Sequence, residues 1–410
     1  MRIVILGAGP AGLAAAERLR DLEASAGISP LDIEMVSDET HAPYSPPAMA
    51  DHFLTGREST LYWKGRDVLD RLRVVHRRGA AVRAVRPAER QVVTDAAAVG
   101  YDRLVIATGS RLHAPLPGVD LPGIYNFKSL TAAQALVEQA RRGEVGSALI
   151  VGAGFIGVEV ALVLRDLGLR VTMVSRRWVM PRALDQETGA IVLAALRARG
   201  VEVLMDVPAA GFEGERRVEA LRLCNGECLR ADVYVAATGV KPNCEYLAGS
   251  GLDLDWGVRV DDTLRTNVAE VYAAGDVAET RDVLTGERYV HAYFPNAVAQ
   301  GRVVAEHMLG FETRYPGAEA MNSLRHLGVP LVAAGAPRGE ELRLRDGNVL
   351  RKVFVADGRI SGFRLAGDIR GAGVLRALML KGADVTAYGW RLLDPGFGAG
   401  TIALAAMQLG

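Results

Sequence analysis

Sulfur is scarce in this chain of 410 residues, which carries three cysteines. An odd, sparse set of this kind does not form a disulfide framework, and the fold is expected to stand without staples. Net charge is absent as well. The 48 Lys and Arg balance 48 Asp and Glu, which removes any general attraction to nucleic acid or to an anionic membrane, so neither is expected as a partner. No apolar run is long enough to cross a bilayer. The opening Met1-Arg2-Ile3-Val4-Ile5-Leu6 leads straight into a glycine motif, without the charged, apolar and cleavage segments of a secretory leader. A cytoplasmic protein is the expectation. Half of the residues are apolar, enough for more than one domain with a substantial core.

Glycine, by contrast, is placed with purpose. Gly7-Ala8-Gly9-Pro10-Ala11-Gly12 and Gly152-Ala153-Gly154-Phe155-Ile156-Gly157 each separate an apolar strand from a helix rich in Ala and Leu. In such a turn the first glycine permits a tight exit from the strand and the second lets backbone approach a pyrophosphate. The third allows helix and strand to pack closely. A diphosphate then rests on exposed helix N–H groups, where the macrodipole favours negative charge.

Residues 3–6 read as a buried parallel strand, 11–22 as the helix behind it and 32–36 as the second strand. Pro43, Pro46 and Pro47 mark a loop, and residues 74–93 read as a small antiparallel hairpin region. Leu104-Val105-Ile106-Ala107-Thr108-Gly109-Ser110 closes this unit. Val233-Tyr234-Val235-Ala236-Ala237-Thr238-Gly239-Val240 echoes it, so that the second unit looks like an internal duplicate of the first. A third strand, ending on Gly275-Asp276, belongs back beside the first sheet, followed by a helix over 296–309. Beyond residue 315, short strands at 353–355 and 360–365 and a helix at 374–380 suggest a separate α+β domain. The expected architecture is α/β. Two Rossmann-like dinucleotide-binding domains span 1–112 with 241–314, and 113–240, and a C-terminal α+β interface or dimerisation domain spans 315–410. The uncharged Gly-Ala tail, 397–410, reads as a packing or partner-contact segment.

This arrangement resembles the two-dinucleotide flavoprotein family that includes glutathione reductase, NADH oxidase, nitrite reductase, ferredoxin and rubredoxin reductases and apoptosis-inducing factor. The resemblance implies that Gly7, Gly9, Pro10, Ala11 and Gly12 hold FAD. Asp38, with Glu39 beside it, is the match to the carboxylate on the adenosine ribose, or else a loop cap; its distance from Gly12 exceeds the roughly 20 residues of the simple motif. Pro46, Val82 and the Ala107-Thr108-Gly109 string fall on flavin contacts, and Gly275 and Asp276 on the ribityl chain. The helix after Pro295, Asn296 and Ala297 would point its N-terminus at the flavin pyrimidine edge.

By the same likeness Gly152, Gly154, Phe155, Ile156, Gly157 and Gly239 hold the nicotinamide cofactor. Relatives that use NAD carry a carboxylate after the second strand of this unit, where the present chain has Ser175-Arg176-Arg177, with Arg182 beyond. Two guanidiniums grip a 2′-phosphate, which favours NADPH over NADH; the alternative is a solvated basic face. Glu159 either orients the nicotinamide amide, the one side chain with a catalytic assignment, or stabilises its helix N-terminus.

Disulfide reductases of the family set two cysteines beside the flavin. The matching loop here, His41-Ala42-Pro43-Tyr44-Ser45-Pro46-Pro47-Ala48-Met49-Ala50-Asp51, has no sulfur nucleophile. Pro46 and Asp51 replace the Arg and Lys of ferredoxin reductases, so the Lys–Glu pair of those relatives cannot form with Glu159. Cys224, Cys228 and Cys244 read as structural, and no metal site is expected. The likeness leaves hydride transfer, with nicotinamide C4 within about 3 to 3.5 Å of flavin N5. It implies electron delivery to an iron–sulfur or rubredoxin carrier. The alternatives are the flavin subunit of an iron–sulfur assembly resembling phenylglyoxylate dehydrogenase, which reduces NAD(P)+, an NAD(P)H oxidase, and a nicotinamide sensor like apoptosis-inducing factor. His326 is a candidate near an acceptor or a structural residue.

Overall fold

The computed structural model describes residues 1–324, 326–398 and 400. Most of the Gly-Ala tail, 401–410 with 399, therefore lies outside the described residues.

Contacts divide the chain into two compact units, Met1–His113 with Asn126–Glu138 and Val240–Glu319, and Ala114–Tyr125 with Gln139–Gly239 and Ala320–Gly410. The stretch 113–240 is thus shared, because residues 126–138 group with the first unit and the C-terminal region with the second.

The first unit is built on a parallel sheet in the order Val271–Ala273, Arg103–Ile106, Arg2–Leu6, Asp32–Ser37, Val75–Arg78. Ile3, Val4, Ile5 and Leu6 have no exposed surface, as a central strand covered on both faces requires; burying each contributes about 1.5–3 kcal/mol. The strand before Gly275 does return to this sheet. Val75–Arg78 corrects the hairpin reading: it is the parallel edge strand, exposed enough to carry arginines. The antiparallel piece is the separate sheet of Val82–Arg86, Gln91–Thr94 and Ala98–Gly100.

The second unit repeats the plan. Its parallel sheet runs Ile124–Tyr125, Val233–Ala236, Ser147–Val151, Arg170–Ser175, Val201–Met205. Ala209–Glu213, Ala220–Leu223 and Cys228–Leu229 form a small antiparallel sheet in the position that residues 82–100 hold in the first unit. The C-terminal region is more regular than its sequence suggested. It is a five-stranded antiparallel sheet, Met321–Leu324, Leu331–Gly335, Arg359–Ala366, Val349–Ala356, Glu340–Asp346. Helix Ala372–Lys381 covers one face, where Leu375 and Met379 meet Val353, Phe363 and Leu365. Among the described residues no helix is long and apolar enough to cross a membrane.

Candidate functional site

The three glycines of the first motif do different physical work. Gly7 has φ +105°, and a Cβ there would lie 2.2 Å from the Ala107 carbonyl oxygen. A Cβ on Gly12 would lie 2.1 Å from the Gly7 oxygen, so helix and strand are in backbone contact. Gly9 differs: nothing lies within 4 Å of its Cβ position. It is the extended N-cap of helix Pro10–Ser25, which no side chain caps. Pro10 lacks an N–H, Leu13 donates its own to the Gly9 oxygen at 2.9 Å, and no side chain caps the first turn between them. Backbone seals two sides of this cradle and the third is open, which fits a diphosphate.

Gly275 and the helix that follows it pack directly on the motif, and several of the other expected residues are engaged within the protein. Ala11 is buried, and Gly275 at φ +80° is wedged beside it, a Cβ there falling 3.0 Å from Ala11 Cβ and 3.7 Å from Ala297 Cβ. Helix Phe294–Met308 crosses so closely that a Cβ on Gly301 would lie 2.2 Å from the Ala11 oxygen. Its start carries exposed Pro295, buried Asn296 and buried Ala297, again with no side-chain cap. The Asn296 amide is committed to the Glu319 backbone, donating to its oxygen at 3.0 Å and accepting from its nitrogen at 3.1 Å. Thr108 Oγ1 donates to the Asn243 oxygen at 2.8 Å, and Gly109, at φ +64°, points its Cβ direction into open space. Val82 is half-buried against the core. Pro46 opens a 3-10 turn, Pro46–Ala48, that continues into helix Met49–Thr55, where a plain loop was expected.

The two acidic neighbours after the second strand part company. Asp38 is exposed with no hydrogen bond or ion pair among the described residues. Glu39 is occupied: it accepts from Tyr44 Oη at 2.8 Å and from the Thr131 nitrogen and Oγ1 at 3.2 and 3.1 Å, tying down the start of helix Leu130–Arg141. Sequence reasoning missed Lys128 and Ser110, which both reach the Asp276 carboxylate, Lys128 as an ion pair and Ser110 Oγ as a 3.0 Å donor. No local pattern marks Lys128, which is 148 residues from its partner.

The second motif repeats this division of labour. Gly152 (φ +109°) and Gly157 are closed off by the Ala237 and Gly152 oxygens, 2.4 and 2.2 Å from their Cβ positions. Gly154 has nothing within 4 Å, caps helix Phe155–Asp166 in an extended conformation, and has no side-chain cap. Gly239 is likewise open. Phe155 and Ile156, half-buried, form the first turn. Past the strand Arg170–Ser175, Ser175 is buried while Arg176, Arg177 and Arg182 are exposed, without hydrogen bond or ion pair among the described residues. Met180, at φ +57°, returns the loop onto the motif by donating its N–H to the Ala153 oxygen at 2.8 Å.

Glu159 lies beyond the first helical turn, which holds no acidic residue, so the helix-terminus reading of this carboxylate loses its support. Burial pushes its pKa up to about 7, from 4.5. The neutral form is thus favoured in the fold, and stability is lost as pH rises from the ordinary value through about 7. In nucleotide-free protein, calorimetry is expected to show Glu159→Gln gaining in Tm over the parent between pH 5 and 8. An advantage that shrinks with rising pH contradicts the assignment.

The cysteines are free; Cys224 and Cys228 are exposed and Cys244 is half-buried. Cys224 and Cys228 belong to the second unit and Cys244 to the first. His326 is exposed, its carbonyl accepting from Arg199 at 3.1 Å.

Two duplicated parallel sheets, each followed by a glycine turn with one open position, are the framework of oxidoreductases that pair two dinucleotides, of the FAD-dependent NAD(P)H type. A family model described as pyridine nucleotide-disulphide oxidoreductase matches residues 1–301, and the chain belongs to that family. It is 30% identical over 400 residues to the NADH-dependent phenylglyoxylate dehydrogenase subunit epsilon of Aromatoleum evansii, covering 94% of this chain and 93% of that one. It is 27% identical over 406 residues to the assimilatory nitrate reductase electron transfer subunit of Bacillus subtilis, 96% of this chain but about half (51%) of that protein's length. Among solved structures, the ferredoxin reductase for the CYP199A2 system of Rhodopseudomonas palustris superposes with a TM-score of 0.84 at 25% identity, over 98% of this chain and 99% of that one.

Proposed function

We propose that this chain moves electrons between NADPH and a one-electron protein carrier of iron–sulfur or rubredoxin type, by way of FAD in the first unit. The observation that carries the reading is the pair of open glycines, Gly9 and Gly154, at uncapped helix starts. When bound, FAD accepts electrons as a hydride pair and releases them singly. The chain's own residues bind and orient. First-turn N–H groups hold each diphosphate, Asp38 is the free carboxylate for the flavin adenosine ribose, and Asp276, held by Lys128 and Ser110, faces the ribityl chain. Helix Phe294–Met308 directs its positive end to the flavin. Glu159, its pKa pushed up to about 7 by burial, is in its neutral form a hydrogen-bond donor for the nicotinamide amide. A one-electron protein acceptor is supported by the likeness to a ferredoxin reductase, and the cysteine-free 41–51 loop gives no support to thiol exchange.

A second reading, the flavin subunit of an iron–sulfur assembly, is favoured by the near full-length match to the phenylglyoxylate dehydrogenase subunit. Co-purifying iron-containing subunits would select it; cytochrome c reduction that depends on added ferredoxin selects the first.

NADPH preference rests on Arg176, Arg177 and Arg182. Each charge-assisted hydrogen bond to a phosphate is worth about 1.5–3 kcal/mol. The double variant Arg176→Ala/Arg177→Ala is therefore expected to bind adenosine 2′,5′-bisphosphate at least about tenfold more weakly, with 5′-ADP changed far less. Titration calorimetry giving equal losses for both ligands would count against 2′-phosphate recognition.

A further inference from the structure

Three cations stand side by side in the C-terminal sheet. Arg343 pairs in register with Lys352, and Lys352 with Arg364, across three adjacent strands. Like charges directly opposite one another destabilise a sheet. Lys352 and Arg364 are also buried, at 4% and 1% exposure. Arg364 donates to backbone oxygens of Ala334, Phe363 and Gly335 at 2.7 to 3.0 Å and stands over the Phe354 ring, 5.8 Å from its centroid, with no carboxylate in an ion pair with it among the described residues. By itself this row is electrostatically incomplete.

The counter-charge comes largely from the start of helix Gln186–Ala198, which follows directly on the arginine-bearing loop. Lys352 Nζ lies 3.0 Å from Asp185, 2.9 Å from Glu187 and 3.3 Å from Glu341. Glu187 also takes Arg343 at 2.6 Å and Arg345 at 3.1 Å. Asp185 is the N-cap, accepting from the Thr188 nitrogen at 3.1 Å and its hydroxyl at 2.8 Å. Hydrogen bonding from Arg343, with Lys352 and Arg345 adding to it, holds the Glu187 carboxyl far below the ordinary carboxylate range. Burial acts to lower the Lys352 pKa, yet its bonds to Glu187 and Asp185 outweigh that and hold it raised. Asp185, Glu187 and Lys352 therefore stay charged at neutral pH.

The loop above is pinned at both ends. Met180 N–H meets the Ala153 oxygen of the second motif. The Trp178 indole N–H donates to the Leu184 oxygen at 3.0 Å, and Trp178 lies over Gly189 of the helix, where a Cβ would come within 3.0 Å of its ring. A continuous path therefore runs from the phosphate cradle through residues 176–184 to Asp185 and the buried lysine.

We propose that Lys352 is a positioning residue for nucleotide binding: through Asp185 and Glu187 it fixes the loop whose arginines meet the adenosine ribose. The inference rests on the nucleotide site assigned above and deepens it. Precision at such a site depends on the groups that hold the contacting residues, here a strut from the C-terminal sheet.

The test uses full-length, flavin-loaded protein with adenosine 2′,5′-bisphosphate and 5′-ADP as separate probes, alongside amide exchange over 176–184. Lys352→Met is expected to raise the Kd of the tighter probe about tenfold, in the range that supporting residues give, and to speed exchange in the loop, with flavin content kept. Lys352→Arg restores most of both. If Lys352→Met fails to fold, Glu187→Gln is read the same way at the exposed side of the cluster. Unchanged Kd and exchange in the folded variant overturn the proposal. Preference of the parent for 5′-ADP instead sinks the NADPH reading, while the strut is still decided on that probe.

Discussion

Replacing Gly154 with valine is expected to give a yellow, folded protein that nicotinamide nucleotides no longer bleach. The backbone there is extended, φ −80° and ψ −177°, which any residue adopts, and nothing lies within 4 Å of the Cβ position. Folding should therefore be indifferent to the side chain. The nucleotide is not, because the branched side chain would stand where a diphosphate approaches the unpaired N–H groups of the following helix. We expect Kd for the nicotinamide nucleotide to rise at least about a hundredfold, close to 3 kcal/mol, with the flavin spectrum unchanged. Rapid reduction of the variant at ordinary nucleotide concentrations would place the nicotinamide cofactor elsewhere.

The corresponding change in the first unit has a different outcome. Gly9→Val should yield a folded but colourless chain, for Gly9 shares both the extended backbone, φ −77°, and the open Cβ direction. Gly12→Val is its control. A Cβ at Gly12 meets the Gly7 oxygen at 2.1 Å, a backbone clash that no rotamer relieves, so this variant is expected to lose about 3 kcal/mol or more of stability. Circular dichroism melts with flavin absorbance separate the two effects. Gly9→Val retaining full FAD, or melting as early as Gly12→Val, would contradict the assignment of Gly9 as the ligand-facing position.

What could be read in the sequence was whatever is local. The strand before each motif is a continuous apolar run, each glycine triplet has fixed spacing, and the Ala-Thr-Gly echo marks the duplication; all of these became parallel strands and cradles. The return of Val271–Ala273 to the first sheet was legible because its Gly275-Asp276 end has the form of a ligand-side strand end. Long-range pairings were not legible. Lys128 meets Asp276, and Lys352 meets Asp185, through folds that bring together residues 148 and 167 apart. Glu39 reads as a ribose ligand from its place after the second strand, but Tyr44 and Thr131 claim it. Val75–Arg78 looked like a surface hairpin since an edge strand tolerates exposed arginines as a hairpin does. Buried cations defeat pattern reading most thoroughly. Arg351, Lys352 and Arg364 sit in strands where a binary apolar-polar pattern expects solvent.

In the function proposed above, electrons pass from a nicotinamide to a flavin held by this one chain, without a protein thiol as intermediate. The decisive experiment is anaerobic titration of the yellow protein with NADPH, followed at the flavin absorbance maximum. Stoichiometric bleaching is expected, persisting when Cys224, Cys228 and Cys244 are all replaced by serine, with recovery of colour on adding an oxidised ferredoxin. A preparation that takes up no FAD, or one whose bleaching is abolished by the cysteine replacements, would contradict it.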